Sequence, residues 1–187
     1  PVMEGKAVLF KEFADIDAFP ICVAEQSVQK TIETVRNIYP CFGGINLEDI
    51  KAPECFEIEA ALQDLGIPVM HDDQHGTAVV VLAGLINALK VTGKDKEVVK
   101  VVISGTGAAG VAVSKLMLKY GFKNIIMTDS QGIIHEGREN LNPIKEEMSR
   151  ITNHDLIKGN LEEALQRSDI FIGVSKPGIV TEDMIKS

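Results

Sequence analysis

Val98-Val99-Lys100-Val101-Val102-Ile103-Ser104-Gly105-Thr106-Gly107-Ala108-Ala109-Gly110 is the stretch whose reading decides the fold. Val98 to Ile103 is a run of mostly apolar residues, as in a strand of a parallel sheet covered on both faces. The six residues Gly105 to Gly110 match GxGxxG, a weak pattern when it stands alone. Here it follows an expected strand and opens an expected helix, Ala108 to Tyr120, which Gly121 can terminate. Asn124 to Thr128 reads as the next strand. Asp129 stands at its end, about 20 residues beyond the glycines, where the fingerprint requires an acid.

Each position of that fingerprint has a physical reason. Gly105 allows a tight turn, Gly107 lets backbone approach a pyrophosphate, and Gly110 allows close packing of helix on strand. The N-terminus of the helix offers free amides and partial positive charge to phosphates. Gly105, Thr106, Gly107, Ala108, Ala109 and Gly110 are therefore the expected cofactor loop. Asp129 is expected to accept hydrogen bonds from the adenosine ribose and to repel a 2′-phosphate, which favours NAD over NADP.

Working outward, Asn142 can cap a helix begun by Pro143, and Asn160 with Glu163 resembles a capping box. Ile170 to Val174 reads as another buried strand. Alternating units of this kind give a parallel sheet with right-handed crossovers. The expected architecture is α/β, a Rossmann-type doubly wound sheet, preceded by part of a smaller α/β domain. The division falls at 1–74 and 75–187.

Upstream, Val8 to Phe10 and Ala18 to Val23 are apolar runs suited to buried strands. Ser27 can cap a helix to about Ile38 with Val28, Ile32 and Val35 on one face. Phe42 to Leu47 reads as a strand, Pro53 opens a helix through Leu65 that Gly66 ends, and Ile67 to Met70 is a short strand. A helix from about Thr77 to Lys90 carries apolar residues around most of its circumference. It is expected to be buried on nearly all sides, at a junction between two domains.

Two acid pairs stand at the ends of expected strands, Glu48-Asp49 and Asp72-Asp73. If the strands are neighbours, four carboxylates meet at one edge, and their repulsion calls for a cation. Hard oxygen ligands select Mg²⁺ or Mn²⁺. The alternative is that each pair is only a loop or cap. His71-Asp72-Asp73-Gln74-His75 also mimics HExxH, but Gly76 follows at once, a strand precedes it, and Asp is shorter than the Glu such a base requires. Zinc is disfavoured on those grounds. Lys6 is either a solvated surface group or, if buried near a cation, a base of depressed pKa.

Composition bounds the partners. The 187 residues are 45% hydrophobic and 25% charged, average for a soluble globular chain, so disorder is not expected. A formal charge of −8, no Trp and no basic cluster disfavour nucleic acid. The longest apolar stretch, Ala78 to Leu89, is short for a bilayer span and broken by Gly84 and Asn87. No signal peptide is evident. The three cysteines, Cys22, Cys41 and Cys55, lack CxxC spacing and read as free thiols in a reducing cytoplasm. Pro1 without a Met and a helix barely begun at 181–187 point to a segment of a longer polypeptide.

Four stretches together resemble the malic enzymes of the bacterial-type branch. They are Pro1-Val2-Met3-Glu4-Gly5-Lys6, Phe42-Gly43-Gly44-Ile45-Asn46-Leu47-Glu48-Asp49, His71-Asp72-Asp73-Gln74-His75-Gly76-Thr77-Ala78, and the Gly105–Gly110 loop. The likeness covers essentially the whole chain. It implies oxidative decarboxylation of L-malate to pyruvate and CO₂, with NAD(P)⁺ reduced and Mg²⁺ or Mn²⁺ required. It implies Lys6 as general base, Asp72 as the acid beside it, Glu48, Asp49 and Asp73 as metal ligands, and Ser175 near the nicotinamide half. It also implies a homo-oligomer. The family's general-acid tyrosine falls upstream of this stretch and a substrate-binding asparagine beyond Ser187, so the segment alone lacks both.

Two competing expectations remain open. One is a metal-free Rossmann dehydrogenase, such as an amino-acid dehydrogenase. The other is a nucleotide-sensing module without turnover. The paired carboxylates argue against both.

Overall fold

The computed structural model describes residues 1–24 and 27–187. Two parallel sheets organise it. The first has two strands, β1 (Ile45–Leu47) and β2 (Val69–His71), with helices α1 (Val2–Ala14), α2 (Val28–Ile38) and α3 (Glu54–Ala61) before and between them. A long helix, α4 (Asp72–Thr92), leads from β2 towards the second sheet. There, β3 (Lys100–Ser104), α5 (Ala108–Tyr120), β4 (Asn124–Asp129), β5 (Gly132–Ile133), α6 (Pro143–Ile151), α7 (Leu161–Leu165), β6 (Ile170–Gly173) and α8 (Glu182–Lys186) follow.

The second sheet has the order β5-β4-β3-β6. β3 pairs in parallel with β4 and β6, and β5 adds an antiparallel edge. Strand alternation sends side chains to both faces. Val101, Ile103, Ile125, Met127 and Ile172 join the core with α4, α5 and α6. Val102 and Ile126 point the other way, to Ala164 and Leu165 of α7. Layers on both faces explain why β3 reads as an apolar run rather than an alternating one. The doubly wound expectation is met.

Local chemistry sets the helix ends. Gly107 caps α5, and Gly121, in the left-handed region at φ 111°, ends it with its amide on the Leu118 and Met117 carbonyls. Ser27, Asn142 and Asn160 cap α2, α6 and α7 through their side chains, the last with Glu163 in a full capping box.

Three expectations fail upstream. Val8 to Phe10 is not a strand but the middle of α1. Helix formers spaced through 3–12 (Met3, Glu4, Lys6, Ala7, Lys11, Glu12) govern the whole segment, and a three-residue apolar run does not outweigh them. Ala18 to Val23 forms no strand either. Pro20, inside it, cannot donate to a ladder. The helix expected to reach Leu65 stops at Ala61, and turns lead on to Gly66 at φ 75°.

α4 also differs. It begins at Asp72, five residues early, and passes through Gly76 without a break. It is not buried all round. Ala78, Val81, Leu82, Leu85 and Leu89 face α5, while Val79, Val80 and Val91 lie exposed. One contacting neighbour covers one stripe of a helix, whatever the composition of the opposite side. At 21 residues α4 is long and apolar enough to cross a membrane by those measures alone. Its packing along α5 and the two aspartates of its first turn are those of a helix docked on a protein core.

Candidate active site

Leu47 of β1 stands opposite His71 of β2, so Glu48-Asp49 and Asp72-Asp73 leave the small sheet at the same edge. The condition set for a shared edge, that the two strands be parallel neighbours, is met. Asp72 and Asp73 belong to the first turn of α4, where the helix dipole favours negative charge.

Lys6 reaches into this edge from α1. Its Nζ pairs with Asp72 Oδ2 and lies 3.1 Å from Glu48 Oε2. Glu48 is only 8% exposed and accepts a second bond from Asn46 Nδ2 at 2.9 Å. Lys6 thereby offsets part of the negative charge gathered at this edge. The hydrogen bond that Lys6 Nζ donates to Asp72, and then the one it donates to Glu48, raise the Lys6 pKa, and partial burial opposes them only in part. The neighbours of this ammonium are anions, which favour its charged form.

Gly76 has a role the sequence did not declare. It lies four residues beyond Asp72 on α4, and a Cβ there would overlap Asp72 Oδ1. A side chain at 76 would push away the carboxylate that Lys6 binds.

Asp49 and Asp73 are not drawn in. Asp49 takes a left-handed backbone at φ 56°. Asp73 is 53% exposed, its nearest basic atom being His71 Nε2 at 3.8 Å, beyond hydrogen-bond reach. Among the described residues no three His, Cys, Asp or Glu side chains converge tightly enough to hold a metal ion. The donor set still suits a hard divalent cation: Glu48, Asp49 and Asp73 supply carboxylate oxygens at one sheet edge. Orphaned polar atoms lie buried beside them, Asn46 Oδ1 and both ring nitrogens of His71.

The two histidines make no zinc site. His71 is buried with an unpaired ring, and His75 Nε2 lies 2.7 Å from Glu59 Oε1. The helix that the HExxH reading needed does continue, but among the described residues no third ligand joins it.

The glycine loop connects β3 to α5. β4 lies on one side of β3 and β6 on the other, so the crevice between the C-terminal ends of β3 and β6 is where strand order reverses. Ligands bind at such a point in open α/β sheets. Gly105 is at φ 121°, and a Cβ there would stand 2.7 Å from the Val174 carbonyl oxygen. A Cβ on Gly110 would overlap the Gly105 carbonyl. At Gly107 nothing lies within 4 Å, which leaves room for a phosphate chain to approach the backbone. Thr106, Ala108 and Ala109 complete the loop and first turn, and these residues fit a dinucleotide pyrophosphate. Ser175 follows β6 on the other wall, its Oγ 3.2 Å from Ser104 Oγ. Nothing in the sequence signals this contact, since a serine ending a strand carries no signal of its own.

Asp129 ends β4 as expected, but it is not free. Arg138 Nη1 and Nη2 donate to its two oxygens at 3.0 and 2.6 Å, Lys145 Nζ donates at 2.6 Å, and the Gln131 amide at 2.9 Å. Burial works to raise its pKa. The two cations and the amide overcome this and hold the carboxyl well below the usual carboxylate range. One anion against two cations leaves local positive charge. The argument that Asp129 alone would repel a 2′-phosphate, and so favour NAD, loses its basis. Arg138 and Lys145 are nine and sixteen residues away, and no spacing rule pointed to them.

Comparison with known proteins agrees with this geometry. The malic enzyme NAD-binding domain family matches residues 74–187, and the malic enzyme N-terminal domain family matches residues 24–63. An NAD-dependent malic enzyme of Geobacillus stearothermophilus is 54% identical over 187 residues, covering 100% of this chain and 39% of that protein. An NADP-dependent malic enzyme of Halomonas elongata is 49% identical, covering 100% and 44%. The crystal structure of an NAD-dependent malic enzyme from Thermotoga maritima superposes with TM-score 0.97 at 53% identity, covering 100% of this chain and 50% of that one. The chain thus spans roughly two fifths to one half of the length of these three relatives. With the paired strand ends, the lysine between their carboxylates and the glycine loop at the reversal of strand order, these matches show that the chain belongs to the malic enzyme family.

Proposed function

We propose that the protein to which this chain belongs oxidatively decarboxylates L-malate to pyruvate and CO₂, reducing NAD⁺ or NADP⁺, with Mg²⁺ or Mn²⁺ as cofactor. The observation that carries this reading is Lys6 held between Glu48 and Asp72 at the edge where β1 and β2 end together.

The roles divide along the chain. Residues 1–74 supply metal and substrate groups, and 75–187 supply the cofactor site. Glu48, Asp49 and Asp73 are the residues that would hold the cation. When bound, such a cation supplies Lewis-acid stabilisation of developing oxyanion charge. Lys6 takes the C2 hydroxyl proton of malate as hydride leaves C2 for the nicotinamide. For this it must first be neutral, and assigning Glu48 to the cation removes one of the two carboxylates that keep it charged. Asp72 orients the amine. Gly105 to Gly110 hold the pyrophosphate at the N-terminus of α5, and Ser175 lines the nicotinamide side.

Asp129 faces the adenosine ribose together with Arg138 and Lys145. That cationic surround accepts a 2′-phosphate, so use of both NAD⁺ and NADP⁺ is expected rather than strict NAD⁺ dependence. The same reading takes the whole protein as a cytoplasmic homo-oligomer.

The test is an assay of the full-length protein with L-malate, Mn²⁺ and either NAD⁺ or NADP⁺, following reduced nicotinamide and pyruvate together. Equal amounts of both, abolished by chelator, are expected. Turnover that survives chelation would replace this reading with a metal-free dehydrogenase. Binding of NADH with no turnover would leave a nucleotide-binding module.

A further inference from the structure

Glu59 belongs to none of the roles above, yet it is the most heavily engaged acid beside them. It sits on α3, where Cys55 is buried and Ile58 packs into the core formed with α2 and the small sheet, so its backbone is firmly placed. Its side chain is 12% exposed. Oε1 accepts from the His71 backbone amide at 2.9 Å and lies 2.7 Å from His75 Nε2, and Oε2 accepts from Gln74 Nε2 at 3.2 Å.

The partners are His71, Gln74 and His75. In the chain they bracket Asp72 and Asp73 on both sides. They also bracket the point where β2 becomes α4. That helix start has no side-chain cap of its own, since His71 at the cap position makes no such bond. The grip comes instead from another helix, through bonds to an acid, which are stronger than neutral ones.

We propose that Glu59 is a positioning residue, fixing the direction in which Asp72 and Asp73 leave β2 and hence their aim at Lys6 and at a divalent cation. The inference rests on the metal-dependent reading given above. Groups that orient metal ligands without touching the metal commonly change metal affinity 10–100-fold when removed. Here one carboxylate orients two acids by holding the turn that carries them.

Variants of Glu59 separate geometry from charge. Glu59→Gln keeps the side-chain length. Its amide oxygen can serve His71 and His75, and its NH₂ can donate to Gln74 once that amide is turned over. Glu59→Asp keeps the charge but is one methylene short of its partners. Glu59→Ala removes the grip altogether.

The experiment measures Mn²⁺ affinity from the free-ion electron paramagnetic resonance signal, and NADH affinity by fluorescence, on the full-length protein and its folded variants. Glu59→Asp and Glu59→Ala should weaken Mn²⁺ binding by about 10-fold or more, and Glu59→Gln by no more than roughly threefold. NADH affinity should stay at the parent value throughout. If Glu59→Ala does not fold, the order of the other two decides. Parent-like Mn²⁺ affinity in Glu59→Asp, or Glu59→Gln weaker than Glu59→Asp, overturns the proposal. Asp73→Asn tells the two levels apart. If it abolishes Mn²⁺ binding while Glu59→Asp does not weaken it, the metal site stands and the role of Glu59 falls. If the parent protein binds no Mn²⁺, the metal-dependent reading falls, and the proposal with it.

Discussion

In the second sheet Val101, Val102, Ile103 and Met127 are fully enclosed, with helices on both faces. In the first thirteen-residue helix, α1, no residue is buried, and Val8, Leu9 and Phe13 stand in the open. Between these extremes lies the small core of Ile32, Val35, Leu47, Ile58, Leu62 and Val69 around a two-stranded sheet. The nucleotide-binding part is held by apolar burial, each large side chain contributing about 1.5–3 kcal/mol. The acid edge is held by polar contacts that cross between elements: Lys6 to Asp72 and Glu48, and Glu59 to the start of α4. One part keeps its shape through many interchangeable contacts. The other depends on a few that are not interchangeable.

The contrast can be broken most sharply in the sheet. Ile103→Ala should cost about 2–5 kcal/mol of unfolding free energy, as buried large-to-small changes do. Val8→Ala on α1 should stay within about 0.5 kcal/mol, as surface substitutions do. Urea unfolding of each variant measures both. Equal losses would mean that α1 is packed against something in solution.

A smaller effect is expected in the glycine loop. Gly110→Ala places a Cβ against the Gly105 carbonyl. The turn must shift, at about 1–3 kcal/mol as for overpacking, and NADH affinity should fall with it. Gly5→Ala, with nothing within 4 Å of the new Cβ, should leave that affinity unchanged. Fluorescence titration with NADH compares the two, and an unaltered Gly110→Ala would show that the loop is not held as described.

The smallest effect concerns acid. Asp129 is depressed below its ordinary 3.8 in the folded state. Its contribution to stability is therefore complete above that value and lost as pH falls through the lower folded one. On the order of 1 kcal/mol is expected. Asp129→Asn should melt below the parent at pH 7, and the gap should narrow as pH drops below about 4. A gap that stays constant down to pH 2 would mean that Arg138 and Lys145 do not hold the ionised form in solution.

Legibility followed the same divide. The strand β3, the glycine loop, α5 with Gly121 at its end, and the caps Ser27, Asn142 and Asn160 could all be read, because each is decided within a few residues. Val8 to Phe10 is not legible locally, because three apolar residues fit a strand or a helix equally well. The exposed side of α4 is not legible either, because composition does not say how many neighbours a helix has.

The sequence by itself determined the strand–helix–strand order from β3 to β4, the place of the dinucleotide loop and the acid pairs that follow β1 and β2. These rest on backbone geometry and side-chain period, which are local. Only the tertiary structure decided that Lys6 lies between Glu48 and Asp72, that Arg138 and Lys145 reverse the charge around Asp129, and that Glu59 grips the turn carrying Asp72 and Asp73. Those pairings join residues from 9 to 66 positions apart. No local rule encodes them, because the distance between two charges is set by how whole elements pack.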